Sequence, residues 1–549
     1  MRAFIVLLFL IAPARASDEA AFSQMQAEMK RSMTSLRQKP FGPPYFLAYR
    51  LVDERRLEVN GYFGDLLNEY DDSARTLFVE LRYGDRHFDN TELAFQGWHS
   101  AAPLENRALR QSLWSLTDAA YKSAVAGYLE KKARRMVDFV QQPLDDFSIE
   151  PATAHARAQP PARFDHDRAR SLVQRVSKVF LEFPEIQDSR ASLRLRGSRR
   201  LLLTSEGTRI ATPEEHVPGS LALTAVTRSD DGMRLEQQES WSIRDLEDLP
   251  AVEALEAKAR DMARTLAVLR HAPIQAPMAA PAILDPEFTG VLFHEALGHK
   301  LEGQRQREPR QSQVFRDLIG KRIIPEFLSL WDDPTLAQFR GVPLHGHYEF
   351  DSEGVAARPV VLVDKGILIN FLMSRWPLKG FPRSNGHGRS DALLRPTGRM
   401  ANLVVQAEDP ISRPELENRL LDLIRRAGKA YGFWLVGAQG GDNPNTREAP
   451  QTLEVRPRLV YRVDGSTGRK TLVRGASMVG TPLVVLNRIV AAADDSALSN
   501  YFSCGAESGF VPVAQIAPSV LVSEVELQRL PEDRARPPLL PSPMQESTR

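Results

Sequence analysis

Apolar residues in the N-terminal half of the chain follow two different periods. Spacings of three and four residues predict a helix that ends before Pro40 and a second, longer helix, with the stripes Phe22, Met25, Met29, Met33, Leu36 and Leu109, Leu113, Leu116, Ala120, Ala124. Residues 44–62 and 75–83 alternate instead, which predicts antiparallel strands. Two more helices are predicted, one after the loop-like segment 151–163 and one over 246–270.

The C-terminal half has a different pattern. Residues 273–286 contain several prolines and are predicted to form a connector, at which we place the main domain boundary. From residue 340 onwards alternation predicts mostly strands, at 360–363, 367–372, 453–463, 471–473 and 511–527. The predicted fold class is α+β, with an N-terminal domain of long helices and antiparallel strands (17–275) and a β-rich C-terminal domain (276–530). Residues 531–549, with five prolines and many charges, are predicted to be a disordered tail.

The first sixteen residues have the pattern of a signal peptide. Arg2 provides the positive start, residues 4–12 are apolar, and Ala14-Arg15-Ala16 offers small residues for cleavage before Ser17. The apolar run is too short to span a bilayer, and no later run approaches the roughly 20 apolar residues that a membrane helix requires. We therefore expect an exported protein, periplasmic or secreted; the alternative is an uncleaved N-terminal anchor.

Overall composition is that of an ordinary globular protein. The 549 residues include 71 basic and 70 acidic side chains, a net charge of +1, so no global electrostatic attraction to nucleic acid is expected. The basic run at residues 131–135 closes a predicted helix and is interpreted as a solvated face.

One short segment, residues 293–303, carries candidate chemistry. His294 and His299 supply two imidazoles and Glu295 a carboxylate in an HExxxH pattern, the residue types of a hydrolytic metal centre. The segment is predicted to be a helix, capped by Asp285 and stopped by Gly303. The alternative is a buried helix with two satisfied histidines.

The spacing of the two histidines is unusual. Five residues turn a regular α-helix by about 500°, which leaves the side chains of His294 and His299 about 140° apart around the helix axis. In that geometry the two imidazoles could not bind the same metal ion. The sequence therefore predicts a π-bulge or an unwound turn at Gly298, because glycine tolerates unusual backbone angles and π-bulges often occur at functional sites.

Cys504 is the one cysteine of the chain. Two histidines and one cysteine would leave the fourth position of a metal open, as in a catalytic site. In an oxidising compartment an unpaired thiol tends to be lost or paired, so metal ligation would explain its presence. A buried inert thiol and an intermolecular disulfide are the competing interpretations.

Several motifs resemble those of the TldD/PmbA family of metallopeptidases. Residues 294–303 resemble its HExxxH signature and the Leu-Glu-Gly-like continuation, and Ser503-Cys504-Gly505 with 511–513 resembles its Cys-Gly and Val-Pro-Val pattern. Further pieces agree in order: 350–355, 362–366, 399–402 and 473–476. The resemblance is weak before about residue 280 and strong after it.

The resemblance implies a metallopeptidase. His294, His299 and Cys504 would hold one Zn²⁺ per chain, and Glu295 would be the general base that activates the metal-bound water. Substrates would be peptides or unstructured polypeptide segments, bound by addition to a sheet edge. Family members form dimers, so a homodimer or a heterodimer with a related chain is expected, with no nucleic-acid partner and no membrane association after signal cleavage.

Two further residues are candidates for supporting roles. His387, in a glycine-rich stretch, is a candidate oxyanion stabiliser, the alternative being a surface loop. Glu302 is a candidate to orient a ligand imidazole, although a surface carboxylate fits the pattern equally. His345 and His347 are left out of the site.

Two rival functions remain open at this level. A non-catalytic, peptide-binding partner subunit would also use a sheet edge, but such subunits lack the metal motif that is intact here. A metal-dependent amidase or esterase acting on a small molecule would keep the metal and lose the preference for peptides.

Overall fold

The computed structural model describes residues 12–92, 97–103, 105–137, 144–157, 161–212, 215–307, 313–442 and 453–530, together with 540 and 543. Residues 1–11 of the predicted signal peptide, and nearly all of the predicted tail, lie outside these described residues. In the described part of the chain, no helix is both long enough and apolar enough to cross a membrane.

The N-terminal half is α+β, as predicted. Its helices are α1 (Ala12–Ser35), α2 (Leu109–Val137), α3 (His166–Lys178) and α4 (Val252–His271). Its strands are β1 (Phe46–Tyr62), β2 (Asp65–Arg82), β3 (Trp98–Ala101), β4 (Ala154–Ala156), β5 (Asp188–Thr204), β6 (Arg209–Ala211), β7 (Glu215–Arg228) and β8 (Arg234–Ile243).

These eight strands form one sheet among the described residues, in the order β3-β2-β1-β5-β6-β4, with β7 and β8 continuing from β5. The pairs along the β1–β2 hairpin run from Phe46–Arg82 to Tyr62–Asp65. Helices α1 and α2 cover one region of the sheet, and α3 and α4 cover another. The predicted helical stripes supply these contacts, because Met25 and Leu113 are fully buried against the strands.

The C-terminal half is β-rich. Its helices are α5 (Pro286–Phe293), α6 (Arg413–Arg426) and α7 (Pro482–Asn487). Its strands are β9 (Met278–Leu284), β10 (Leu328–Asp332), β11 (Gln338–Phe339), β12 (Val342–Pro343), β13 (Val360–Asp364), β14 (Ile367–Leu368), β15 (Gly388–Arg389), β16 (Thr397–Gly398), β17 (Asn402–Ala407), β18 (Tyr431–Asp442), β19 (Leu453–Asp464), β20 (Lys470–Val473), β21 (Ala476–Gly480), β22 (Ile489–Ala492), β23 (Ala497–Ala506), β24 (Gly509–Ala517) and β25 (Val520–Arg529).

Two sheets of this half enclose α5. One has the order β18-β9-β25-β21-β19-β20, with β22 paired to β25, and the other has the order β14-β13-β10-β17-β24-β23. Helix α5 contacts β18 of the first sheet and both β23 and β24 of the second. Buried side chains of α5 and of both sheets form one hydrophobic core. The segment that follows α5 is therefore held at a fixed place between two rigid sheets.

The prediction that residues 273–286 form a connector was wrong for its central part. Residues 278–284 are β9, which pairs in parallel with β18 and antiparallel with β25. Pro281 lacks the N–H that a central strand needs, and the register of β25 shifts opposite it, between Val522 and Val525. The bulge accommodates the proline, which is why a proline stands in a central strand.

One helix prediction needs correction, and one further helix was not predicted. The helix predicted over 246–270 begins as an α-helix only at Val252, after a short 3₁₀ turn at Leu246–Asp248 and Pro250. Helix α6 interrupts a region predicted to be mostly strands. Its N-cap, Ser412, accepts a hydrogen bond from the backbone N–H of Glu415 at 3.4 Å.

Buried charged residues join the two halves of the molecule. Arg50 of β1 donates hydrogen bonds to Ser390 Oγ and to the carbonyl of Leu394, both at 2.6 Å. Nearby, Glu353 Oε2 accepts a hydrogen bond from the backbone N–H of Arg375 at 2.7 Å. Burial, together with the negative charges of Asp351 and Glu80, raises the pKa of Glu353 to about 8.

This raised pKa predicts a pH-dependent stability. Between the ordinary carboxyl pKa near 4.5 and about 8, the folded state keeps the proton of Glu353 while the unfolded state releases it, so the free energy of unfolding falls as pH rises. Glu353→Gln is expected to flatten this dependence, by on the order of 1–2 kcal/mol between pH 5 and pH 8. Urea unfolding at both pH values measures it. Equal pH dependence in wild type and variant would contradict the assignment.

Candidate metal centre

Helix α5 begins where the sequence predicts. The side chain of Asp285 accepts a hydrogen bond from the backbone N–H of Phe288 at 2.8 Å, and Pro286 occupies the first turn. Phe288, Leu292 and Phe293 are fully buried and form the apolar face of the helix. The cap and the apolar face together fix the axis along which the histidine segment continues.

The two histidines flank a π-helical turn, His294–Gly298, that follows α5 directly: His294 is its first residue, and His299 comes immediately after it. The backbone N–H of His299 bonds to the carbonyl of His294, the i to i+5 pattern that brings side chains five residues apart to the same side. Gly298 is required here, because a Cβ atom at this position would collide with Met400 Sδ. The predicted π-bulge is confirmed, but Gly298 has ordinary helical angles, φ −50° and ψ −59°, so glycine serves close packing here and not backbone freedom.

The helical segment ends at Glu302 rather than at Gly303. Glu302 has extended backbone angles, φ −69° and ψ 116°, and Gly303 starts a short 3₁₀ turn, Gly303–Gln306. Gly303 serves packing instead of stopping the helix, because a Cβ atom there would collide with Met373 Sδ.

The structure brings Cys504 to the two histidines. The cysteine lies on β23 beside a register shift between Tyr501 and Cys504, where the β23–β24 pairing is irregular. Its Sγ atom is 3.3 Å from His294 Nε2 and 3.6 Å from His299 Nε2. One potential ligand atom from each of the three residues lies within 4.8 Å of the other two. Residues about 200 positions apart in sequence thus converge on one point.

The two sulfur–nitrogen distances fit a tetrahedral zinc site, whereas the two imidazole nitrogens, which lie within 4.8 Å of each other, would come to about 3.3 Å around the metal. Zn–S and Zn–N bonds of about 2.3 and 2.0–2.1 Å at a tetrahedral angle place sulfur and nitrogen about 3.6 Å apart. The two sulfur–nitrogen distances of 3.3 and 3.6 Å lie close to this value. Two imidazole nitrogens and one thiolate also form a donor set that zinc prefers.

Glu302 orients one of the two imidazoles. It is fully buried and accepts hydrogen bonds from His299 Nδ1 at 3.0 Å and from Arg305 Nε at 2.7 Å. The contact with Nδ1 leaves Nε2 of His299 directed towards Cys504. The structure therefore places Glu302 in the predicted position beside a candidate ligand and not at the surface.

The charges of the site favour a thiolate. Burial alone would raise the pKa of Cys504, but His294, His299 and the guanidinium of Arg399 outweigh it and hold that pKa well below its usual value. Burial also opposes ionisation of Glu302, yet Arg305 and His299 lower the pKa of Glu302 to about 2. The thiolate is the form of cysteine that binds a metal ion, and the carboxylate is the form of glutamate that orients a metal-binding imidazole.

Loss of the Glu302 carboxylate is expected to weaken metal binding. Glu302→Gln removes the negative charge that holds His299, so the metal affinity is expected to fall about 10- to 100-fold. Competition with a chromophoric chelator measures it. Glu417→Gln, a surface carboxylate paired with Lys470, is the matched control and should leave the affinity unchanged. An unaltered affinity in Glu302→Gln would contradict this role.

A cleft of about 390 Å³ opens at the cluster. Glu295 lines it together with His294, His299 and Cys504, and Gly440 and Gly441 line it as well. A side chain at Gly441 would collide with Glu295 Cγ, so glycine there lets β18 approach the carboxylate closely. Sequence reasoning missed this glycine and also Arg305, whose side chain lines the cleft.

His387 does not line this cleft, and the predicted oxyanion role was wrong. Its side chain is fully buried, with Nε2 3.2 Å from Asp332 Oδ1 and Nδ1 3.1 Å from the carbonyl of Asn385. A substrate oxygen cannot reach a ring enclosed in this way. His345 and His347 also lie outside the residues that line the cleft.

Comparison with known proteins places this geometry in context. Residues 277–529 match the family described as PmbA/TldA metallopeptidase C-terminal domain. A metalloprotease from Methanocaldococcus jannaschii is 28% identical over 319 residues, 57% of this chain and 64% of that protein. A zinc metalloprotease TldD homolog from Saccharolobus solfataricus is 27% identical over 254 residues, 45% of this chain and 51% of that protein.

The fold also has a solved counterpart. The structure of TldE from Thermococcus kodakarensis aligns with a TM-score of 0.61 at 13% identity, over 92% of this chain and all of that one. At this identity the likeness concerns the fold alone. The chain spans less than two thirds of the length of both sequence relatives.

Proposed function

Because this chain belongs to the TldD/PmbA family of metallopeptidases, we propose that it is a zinc-dependent peptidase that hydrolyses peptide bonds in peptides or unstructured polypeptide segments. The observation that carries the proposal is the convergence of His294, His299 and Cys504 in the same cleft as Glu295. Three protein ligands leave one coordination position for water or substrate, as catalytic zinc requires.

Five of the residues that line the cleft have tasks in the proposed reaction. A zinc ion held by His294, His299 and Cys504 would polarise the scissile carbonyl and lower the pKa of water towards about 7. Glu295 takes the proton from the attacking water and delivers it to the leaving amine. Arg305, held by Glu302 at 2.7 Å and by Glu507 at 2.6 Å, contributes a fixed positive charge to the wall near the thiolate.

The position of β23 supports a preference for unfolded substrates. Among the described residues this strand is the last of its sheet, next to β24, and it carries Cys504. An extended peptide that pairs with a sheet edge must have a free backbone, which folded proteins do not offer. Segments without stable structure are therefore the proposed substrates.

Assembly and location are parts of the same proposal. TldE, which is only 13% identical to this chain, shares this fold, so we propose that this chain pairs with a second, related chain of the same fold or with another copy of itself. The positive start, short apolar run and small residues at positions 1–16 support export to the periplasm or the medium.

A substrate comparison tests the proposed activity. The zinc-loaded protein is incubated with a reduced, carboxymethylated polypeptide, with the same polypeptide in its native fold, and with small ester and amide substrates. We expect cleavage of the unfolded chain, detected by mass spectrometry and abolished by a chelator. Hydrolysis of the small substrates alone would indicate an esterase or amidase. Binding without cleavage would indicate a non-catalytic subunit.

A further inference from the structure

Arg399 is a completely buried arginine that contacts both segments of the metal centre. Its side chain is 0% exposed, so it cannot touch a substrate in the cleft. Its Nη2 donates to the carbonyl oxygen of Cys504 at 2.6 Å and to the Sγ atom of the same residue at 3.3 Å. One guanidinium nitrogen therefore fixes both the backbone and the sulfur of the predicted thiolate ligand.

The other nitrogens of the guanidinium extend this contact in two directions. Nη1 donates to Ser508 Oγ at 3.0 Å and to the carbonyl of Gly509 at 2.9 Å, so it spans the turn between β23 and β24. Nε lies 3.2 Å from Glu302 Oε1, the oxygen that accepts from His299 Nδ1. Arg399 therefore links the strand that carries Cys504 to the carboxylate that orients His299.

The backbone around Arg399 is held as firmly as its side chain. The N–H of Gly398 donates to Gln304 Oε1 at 3.0 Å, which ties the segment to the residues that follow the histidines. The N–H of Arg399 itself donates to the carbonyl of His387 at 3.0 Å. His387, whose ring is fixed by Asp332, thus belongs to the support of Arg399 and not to the cleft wall.

We propose that Arg399 is a positioning residue that sets the geometry of the metal ligands, through the N–H···S bond to Cys504 and the ion pair with Glu302. This inference deepens the proposed function and rests on the same metal centre. A planar fork can contact a thiolate, a carbonyl and a carboxylate together, whereas a lysine ammonium acts as a single point charge. The three contacts keep the two ligand segments in register before a metal arrives.

Cobalt substitution gives a direct readout of this role. A hydrogen bond to the ligand sulfur lowers the energy of its lone pair, so a Co²⁺–thiolate charge-transfer band lies at shorter wavelength when the bond is present. In Arg399→Met we expect the band to move to longer wavelength and the Co²⁺ affinity to fall about 10- to 100-fold. In Arg399→Lys, which keeps the charge but loses the fork, we expect an intermediate affinity and the same direction of shift.

A matched variant separates this role from general packing. Arg50 is also a buried arginine, and it donates hydrogen bonds to the hydroxyl of Ser390 and to the carbonyl of Leu394. Arg50→Lys should leave the cobalt band and the Co²⁺ affinity at wild-type values. The effects of Arg399→Met and Glu302→Gln on affinity should also be less than additive, because both remove the same link.

The outcomes are distinct. A wild-type band and a wild-type affinity in Arg399→Met would overturn the inference; if that variant does not fold, the same result in Arg399→Lys would overturn it. None of these measurements depends on peptide hydrolysis. Suppose that the Arg399 variants show the expected band shift and loss of Co²⁺ affinity, but that the wild-type protein cleaves no peptide. This result would contradict the proposed function and would still support the role of Arg399.

Discussion

Replacing Glu295 with glutamine is expected to lower the rate of peptide hydrolysis about 10²- to 10⁴-fold without loss of the metal. Glutamine has nearly the same shape but cannot accept the proton of the attacking water. The carboxylate lies in the cleft wall against Gly441, so a side chain of equal size is accommodated without rearrangement. Single-turnover assays with an unfolded polypeptide, together with metal analysis of the same samples, measure both quantities.

The surface variant Glu417→Gln serves again as the control and should hydrolyse the polypeptide at the wild-type rate. If Glu295→Gln retained full kcat with its metal in place, Glu295 would not be the general base. If it lost the metal, the carboxylate would be a ligand instead, and the assignment of three ligands would need revision.

Removal of the thiol is expected to have the largest effect on metal binding. Cys504→Ala leaves two imidazoles as protein ligands. Because only three protein ligands contribute to the free energy of zinc binding, we expect the zinc affinity to fall on the order of 100-fold or more. Hydrolysis should fall in parallel at limiting zinc. Cys504→Ser, which is close in size to cysteine, tests whether the loss follows sulfur chemistry and not a cavity.

Competition titration with a chelator gives the affinities, and thermal unfolding of the metal-free proteins shows whether the fold persists. Equal zinc affinity in wild type and Cys504→Ala would remove the cysteine from the site. It would then be a buried inert thiol, as one interpretation of the sequence allows.

Local features of the metal segment could be predicted from the sequence because their causes are local. The cap at Asp285, the proline after it and the apolar positions of α5 act within one or two turns of helix. The π turn follows from the five-residue spacing between His294 and His299 together with Gly298. Helix α6 carried comparable signals, Ser412 followed by Pro414 and Glu415, which the alternating pattern of its neighbours obscured.

Features set by distant partners could not be predicted in this way. Pro281 argues against a central strand, and only the bulge in β25 makes β9 possible. The glycine-rich sequence around His387 resembles an active-site loop. In the structure, however, its ring contacts Asp332, which lies 55 residues earlier in the chain. Arg399 stands in a motif without an evident role until the fold brings Glu302 and Cys504 to its two ends. The N- and C-terminal domain limits stay predictions.

The most direct test of the account is anomalous diffraction at the zinc edge from crystals of the zinc-loaded protein. We predict one peak per chain, about 2.0–2.1 Å from Nε2 of His294 and of His299 and about 2.3 Å from Sγ of Cys504. A cleft without a peak, or a peak with the sulfur beyond bonding distance, would contradict it.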